Sequence, residues 1–270
     1  MLISTLAFTL LNASVKYLKN FTPYQLVFFR SVGSLFFTIP FLLKNKIPMI
    51  GNQQKLLIIR GIVGVTSMLF FFISMKYLPL GSAVSLRYLA PLFATIFAWF
   101  LLKEKIKCVQ WVFFLMAFIG VLIMKGFNSQ IDIKGFIFIL ISAIFSGLVY
   151  VLIRKIGTRD HPVVVVQYFM IIATIVGGVL SISQWKTPQG SEWALLFSLG
   201  LFGYFGQVFM TKAFQGAQIT IVAPLKYLEV VFTMLVGVIW FQDLYNFWSL
   251  LGICLIITGL ILNMKIKKNN

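Results

Sequence analysis

The chain has 270 residues, 60% hydrophobic and 11% charged, with a formal net charge of +17 and a mean hydropathy of +0.98. No soluble domain of this size has that composition, whereas runs of roughly 18 or more apolar residues are membrane-span candidates. The charge would suggest nucleic acid in a soluble protein. Here the basic residues sit mostly between apolar runs, which reads as orientation in a bilayer and argues against a nucleic-acid partner.

Ten apolar segments follow one another, at roughly 2–18, 23–43, 55–76, 81–102, 108–125, 133–154, 161–183, 192–213, 219–241 and 246–264. Each supplies close to the ~20 residues that cross ~30 Å of hydrocarbon as a helix. An all-α membrane protein with ten transmembrane helices is therefore expected. The first segment is apolar from Met1, without a basic leader or a small-residue cleavage site, so it reads as a short first span rather than a signal peptide. Connections are short; the longest polar breaks run from Lys44 to Lys55 and from Trp185 to Glu192.

Lys and Arg are unevenly shared between alternate loops. Both ends and the even-numbered loops hold Lys44, Lys46, Lys55, Lys103, Lys105, Lys107, Arg154, Lys155, Arg159, Lys212, Lys265, Lys267 and Lys268. The odd-numbered loops hold only Lys16, Lys19, Lys76, Lys125, Lys134 and Lys186. The excess places both termini in the cytoplasm of a bacterium, with the chain multi-pass in the inner (plasma) membrane.

The fourth segment, Gly81 to Glu104, has Arg87 about two turns in and Pro91 one turn further on. A charge at mid-membrane costs about 2.5–3.5 kcal/mol on insertion scales, so it faces protein or water. Pro91 has no N–H for the carbonyl of Arg87, so the helix is expected to open at the charged turn. Ala90, Ala94 and Ala98 continue the Arg87 face, a small-residue stripe suited to close helix contact or to a lined cavity.

This stretch occurs twice. At an offset of 139 positions (226 − 87), Arg87-Tyr88-Leu89 becomes Lys226-Tyr227-Leu228, Phe93 becomes Phe232, Glu104 becomes Asp243 and Gly120 becomes Gly259. Upstream, Pro23, Gly61, Gly64 and Phe70 become Pro162, Gly200, Gly203 and Phe209. The expected units are a first five-helix repeat over 1–125, a second over 133–264, and a basic cytoplasmic tail at 265–270. Five spans are an odd number, so two copies in series insert upside-down to each other. That is the inverted-repeat plan of secondary transporters, with a site near mid-membrane between the halves.

Phe28-Phe29-Arg30, Leu86-Arg87-Tyr88-Leu89-Ala90-Pro91, Leu102-Lys103-Glu104 and the echoes Pro224-Leu225-Lys226-Tyr227 and Phe241-Gln242-Asp243 resemble EamA-type members of the drug/metabolite transporter superfamily. Gly120 and Gly259 also fit, and the resemblance covers essentially the whole chain. It implies transport as a class, without specifying the cargo. It also implies that the fifth and tenth helices are outer supports or a homodimer surface.

Arg87 and Lys226 read either as paired cations facing a central cavity or as side chains reaching to the interface. Glu229, the one acid well inside a span, is a proton-coupling group or the ion partner of Lys226 one turn away. Arg30 joins the cations or anchors a loop. Asn12, Tyr150, Gln167, Tyr168, Gln207, Tyr88 and Tyr227 are polar groups within spans, so several should face the interior, as hydrogen-bonded glue between helices or as ligand contacts. Of these, the two tyrosines recur beside the cations. Gly61, Gly64 and Ser67, matched by Gly200, Gly203 and Gly206, form ridges for ordinary tight packing or for moving helices. His161 sits in a cytoplasmic turn, and Cys108 and Cys254 have no metal-ligand spacing.

There is no Gly-Lys-Ser/Thr phosphate loop, no paired His and no Ser/His/Asp set, so ATP-driven transport by this chain alone is disfavoured and no cofactor is implied. The expectation is a secondary transporter that moves a small polar metabolite, anionic or zwitterionic, by alternating access. The candidate binding residues are Asn12, Arg30, Arg87, Tyr88, Tyr150, Gln207, Lys226, Tyr227 and Glu229. Proton-coupled export of drugs or amino acids through Glu229, a membrane-embedded lipid-modifying enzyme and a passive channel are the alternatives.

Overall fold

A computed structural model describes residues 1–18, 20–78, 80–104, 106–125, 132–242 and 247–268. These form α1 (Leu2–Tyr17), α2 (Pro23–Lys44), α3 (Gln54–Ser74), α4 (Leu80–Arg87), α5 (Ala90–Leu102) and α6 (Cys108–Lys125). The second half has α7 (Ile133–Ile156), α8 (Pro162–Ser181), α9 (Glu192–Gly216), α10 (Ile219–Val222), α11 (Leu228–Phe241) and α12 (Phe247–Lys268). Six stretches, Pro23–Lys44, Gln54–Ser74, Ile133–Arg159, Pro162–Gln184, Glu192–Gly216 and Ile219–Trp240, are long and apolar enough to cross a membrane. Leu2–Val15, Ala90–Leu102 and Cys108–Gly120 are shorter apolar helices.

Local chemistry sets the helix ends at matched places. α2 starts with Thr22, whose hydroxyl accepts from Gln25 N at 3.3 Å, followed by Pro23. α8 starts with His161, whose Nδ1 accepts from Val163 N at 3.3 Å, followed by Pro162. Proline at the first helical position has no N–H to leave unmade. α5 and α11 both end on a left-handed residue, Lys103 at φ 53° and Gln242 at φ 55°, again 139 positions apart. A non-glycine residue accepts that geometry only under constraint. In each case its N–H reaches back to a carbonyl of the last turn, of Ala98 and Gly237 respectively.

The expected single span at 81–102 is two helices with a turn at Tyr88-Leu89, because Pro91 cannot donate to the Arg87 carbonyl. The expected span at 219–241 is also interrupted. α10 stops at Val222, a 3-10 turn covers Pro224–Tyr227, and α11 follows. Different prolines thus break both copies at the cation-tyrosine pair.

Packing between the halves follows the same offset. α2 lies on α8 and α6 on α12, while α1 lies on α9 and α11 as α7 lies on α3 and α5. A Cβ on Gly200 would sit 2.5 Å from Gly33 Cα, and their counterparts Gly61 and Ile172 also touch. A Cβ on Gly120 would meet Gly252 O at 2.7 Å, and one on Gly259 would meet Phe113 O at 3.0 Å, the same contact with the halves exchanged. Backbones this close leave no room for a side chain.

The loops gather at two ends. Near one, Gln25 Nε2 donates to Lys186 O at 2.7 Å and Lys186 N donates to Gln25 Oε1 at 3.2 Å, with Trp185 against Phe28 and Phe29. Near the other, Asp160 accepts from Asn52 N at 2.5 Å and Gln53 N at 3.1 Å, and Gln215 Nε2 donates to Asp160 O at 2.9 Å. There too Glu104 accepts from Ile219 N at 3.2 Å and pairs with Arg154 Nε at 3.6 Å. The length of α2, about 33 Å at 1.5 Å per residue, separates the two ends.

Two outcomes follow from these contacts. Gly200→Leu should lower stability by at least about 1–3 kcal/mol, while Gly216→Ala, where no atom lies within 4 Å, should be neutral or better. Thermal melting of purified protein checks both. Burial, and secondarily Lys212, lowers the His161 pKa from 6.5, so His161 favours its neutral form in the fold. Its contribution is present above pH 6.5 and lost as pH falls, so His161→Asn, which can cap at any pH, should flatten the acid side of a melting-temperature profile.

Candidate functional site

The two breaks and the middles of α1, α2, α3, α7, α8 and α9 enclose one cavity, with about 60 Å³ open to the centres of water molecules. A water needs ~10–15 Å³ on that measure, so the space holds a handful of waters; ligand pockets run from ~300 Å³ upward. The cavity is contracted. Asn12, Arg30, Arg87, Tyr88, Tyr150, Gln207, Lys226 and Glu229 all line it. Tyr227 is fully buried behind this wall, its ring 6.0 Å from that of Tyr88.

Glu229 is held on every side. Lys226 Nζ donates to its Oε2 at 2.5 Å and Asn12 Nδ2 to its Oε1 at 3.1 Å. Thr233 Oγ1 donates to its backbone carbonyl at 2.7 Å and Thr9 Oγ1 to the same carbonyl at 3.3 Å. The expected ion pair is therefore present, and α1 is drawn onto α11 through it.

The cations lie against aromatic faces. Lys226 Nζ is 4.5 Å from the Phe8 ring centroid and Arg87 Cζ is 4.3 Å from that of Phe71. Arg30 does join the cluster, with Nη1 3.2 Å from Met68 Sδ and Cζ 5.7 Å from the Phe8 centroid. Such contacts supply about 2 kcal/mol when desolvated, less than the several kcal/mol that burying an ion costs.

The sequence reading missed a fourth cation, Arg60 of α3. It is 1% exposed, donates from Nη2 to Gln207 Oε1 at 2.9 Å, and lies over the Phe169 ring at 4.3 Å. A usable signal was present. Of the 23 Lys and Arg, all but Arg30, Arg60, Arg87 and Lys226 fall in or beside predicted loops, and these four are the ones that line the cavity.

Other polar groups make contacts between helices. Tyr150 stacks on Phe214 at 4.4 Å, which fixes its ring at the cavity wall. Ser67 bonds Ser142 O at 2.9 Å and Ser146 Oγ at 2.7 Å, tying α3 to α7. Tyr168 accepts from Gly51 N at 3.4 Å, outside the cavity, and Gln167 does not line it. The Ala90, Ala94 and Ala98 stripe packs on α7, where a Cβ on Gly147 would lie 2.9 Å from Ala94 N; it is a helix contact, not a cavity wall. Asp243, the counterpart of Glu104, lies outside the described residues. Among the described residues no group of three His, Cys, Asp or Glu could hold a metal.

Residues 1–125 and 133–265 each match the EamA-like transporter family. The chain is 29% identical over 272 residues to the pseudopaline exporter CntI of Pseudomonas aeruginosa, covering 98% of this chain and 95% of that protein. It is 27% identical over 228 residues to an S-adenosylmethionine uptake transporter of Rickettsia prowazekii, covering 82% and 75%. It is 27% identical over 269 residues to human solute carrier family 35 member G1, covering 93% and 74%. A crystal structure of another protein superposes with a TM-score of 0.85 at 19% identity over 97% of this chain and 95% of that one, a likeness of fold.

Removing one partner of a buried ion pair costs about 3–5 kcal/mol, largely by stranding the other charge. Glu229→Ala should thus destabilise strongly, and the double variant Lys226→Met/Glu229→Leu should recover most of the loss. A double-mutant cycle on melting in detergent checks this; additive losses would show that the two side chains are independent.

Proposed function

The chain belongs to the EamA-like transporter family, and from that footing we propose how it transports. It is a secondary transporter of small metabolites. The cargo is anionic or zwitterionic, and it binds in the cavity among Asn12, Arg30, Arg87, Tyr88, Tyr150, Gln207, Lys226 and Glu229, with Tyr227 supporting Tyr88 from behind. One observation weighs most: three buried cations, Arg30, Arg60 and Lys226, and the half-buried Arg87 line that cavity with one carboxylate, Glu229, among them. An oxyanion would offset the excess through charge-assisted bonds, held bidentately where Arg provides the fork.

Ten spans form two five-helix repeats, 1–125 and 133–264, inserted upside-down to each other, with 265–270 as a basic tail. The recurrence of contacts at one offset supports this, as does the position of the loop after α8 beside the start of α2 rather than its end. The Lys and Arg excess favours a cytoplasmic location for both termini and a bacterial inner membrane. α6 and α12, packed on each other, would be outer supports or a homodimer surface.

Alternating access fits the difference between the ends. Asp160 and the Glu104–Arg154 pair tie the cytoplasmic end across the halves. Toward the other end, a crevice of about 520 Å³ lies among the end of α1, the start of α2 and the end of α3. Phe72 borders both this crevice and the central cavity. The relatives are named for uptake in one case and export in another, so direction is not a family constant.

A second reading, proton-coupled export, draws on the carboxylate of Glu229 in the cavity wall. It requires Glu229→Gln to abolish flux driven by a pH gradient; the primary reading allows that flux to persist. An enzyme reading has little support, since family and relatives are named as transporters.

Reconstituted protein loaded with a metabolite mixture, with the accumulated solutes read by mass spectrometry, tests the site. Arg87→Ala and Lys226→Ala should each reduce accumulation of the anionic or zwitterionic cargo about tenfold or more. Unchanged accumulation in both would remove the proposed site.

A further inference from the structure

Arg60 and Arg30 have bonding capacity that nothing among the described residues uses. Arg60 Nε and Nη1, and Arg30 Nε, are buried without a hydrogen-bond partner, in side chains 1% and 5% exposed. A buried charged N–H left unmade is among the more expensive features a fold can keep. Glu229 does not answer it: its two oxygens bond Lys226 and Asn12, and neither guanidinium bonds them.

Glycine backbone packs close to those same atoms. A Cβ on Gly64 would sit 3.4 Å from Arg60 Nη1, and one on Gly203 would sit 3.2 Å from Arg30 Nε. Gly64 and Gly203 are counterparts at the repeat offset. Each half therefore places a glycine beside an unsatisfied guanidinium.

We infer that Arg30 and Arg60 form a subsite for one oxyanion group, a carboxylate or a phosphoryl, so that the cargo has at least two negative charges, the second facing Arg87. This rests on the transport reading above and narrows its substrate class. Charge counting supports it. Arg30, Arg60, Arg87 and Lys226 stand against Glu229 alone, so a singly charged cargo leaves two positive charges unmatched in a desolvated space. Both side chains line the cavity, whose volume of about 60 Å³ open to water centres suits a group of that size and little more.

The test is binding to the full chain in detergent at matched ionic strength, by calorimetry and melting temperature. The ligands are succinate, citrate and glycerol 3-phosphate, with acetate, butyrate and glycine as singly charged or zwitterionic controls. At least one di- or tri-anion should bind and raise the melting temperature while the controls do not. Carboxylate against phosphate ester then identifies the anionic group. Arg60→Gln and Arg30→Gln should each weaken that ligand about tenfold or more. Arg60→Lys keeps the charge without the fork, and should recover only part of the affinity with the melting temperature of the free protein little changed. It provides the readout if the Gln variants do not fold. Binding of the controls as well as the di-anions, no di-anion binding, or affinity unchanged to within about twofold in all three variants would each overturn the subsite. In those cases the mixture assay with Arg87→Ala and Lys226→Ala still decides the transport reading on its own.

Discussion

Positive charge buried in an apolar body is the condition under which this chain is built. Arg30, Arg60, Arg87 and Lys226 come from four different helices or turns and meet at one cavity. Each would be costly in lipid. Each is therefore turned inward and given what the interior offers: the faces of Phe8, Phe71 and Phe169, the amide of Gln207, the thioether of Met68 and the carboxylate of Glu229. These partners do not balance the account, and the residual charge is the property that a cargo would read.

Much of the surrounding structure serves that arrangement. The breaks at Tyr88-Leu89 and Pro224–Tyr227 set the cationic turns where regular helix would stop. Open turns also leave backbone groups near the cavity, tolerated at membrane depth only where protein or water satisfies them. Glycines at 33 and 200 bring α2 and α9 into backbone contact. Close contact of this kind transmits displacement, because packed interiors resist gradual deformation.

The sequence made the plan legible where a covalent or periodic signal existed. The 139-residue offset announced the duplication, and the same offset relates Gly120 with Gly252 to Phe113 with Gly259 in space. Pro91 announced the first break because its missing N–H is a local property. The break before Lys226 was less plain, since its proline lies on the other side of the cation. Arg60 was overlooked because one charge near the start of an apolar run looks like an interface anchor; its burial depends on α8 and α9, which are distant in sequence. The Asp160 ties were equally hidden, since a loop acid reveals nothing of backbone amides more than a hundred residues away. The alanine stripe suited two environments, and only the partner helix decided between them.

Opposite orientation of the two halves around their shared cations is the claim on which the transport account stands. It is tested most directly by labelling single cysteines at counterpart, exposed positions 45 and 184 in a Cys108→Ser/Cys254→Ser background. A membrane-impermeant thiol reagent applied to intact cells should modify Gln184→Cys, and should reach Asn45→Cys only after permeabilisation. Modification of both from the same side would contradict it.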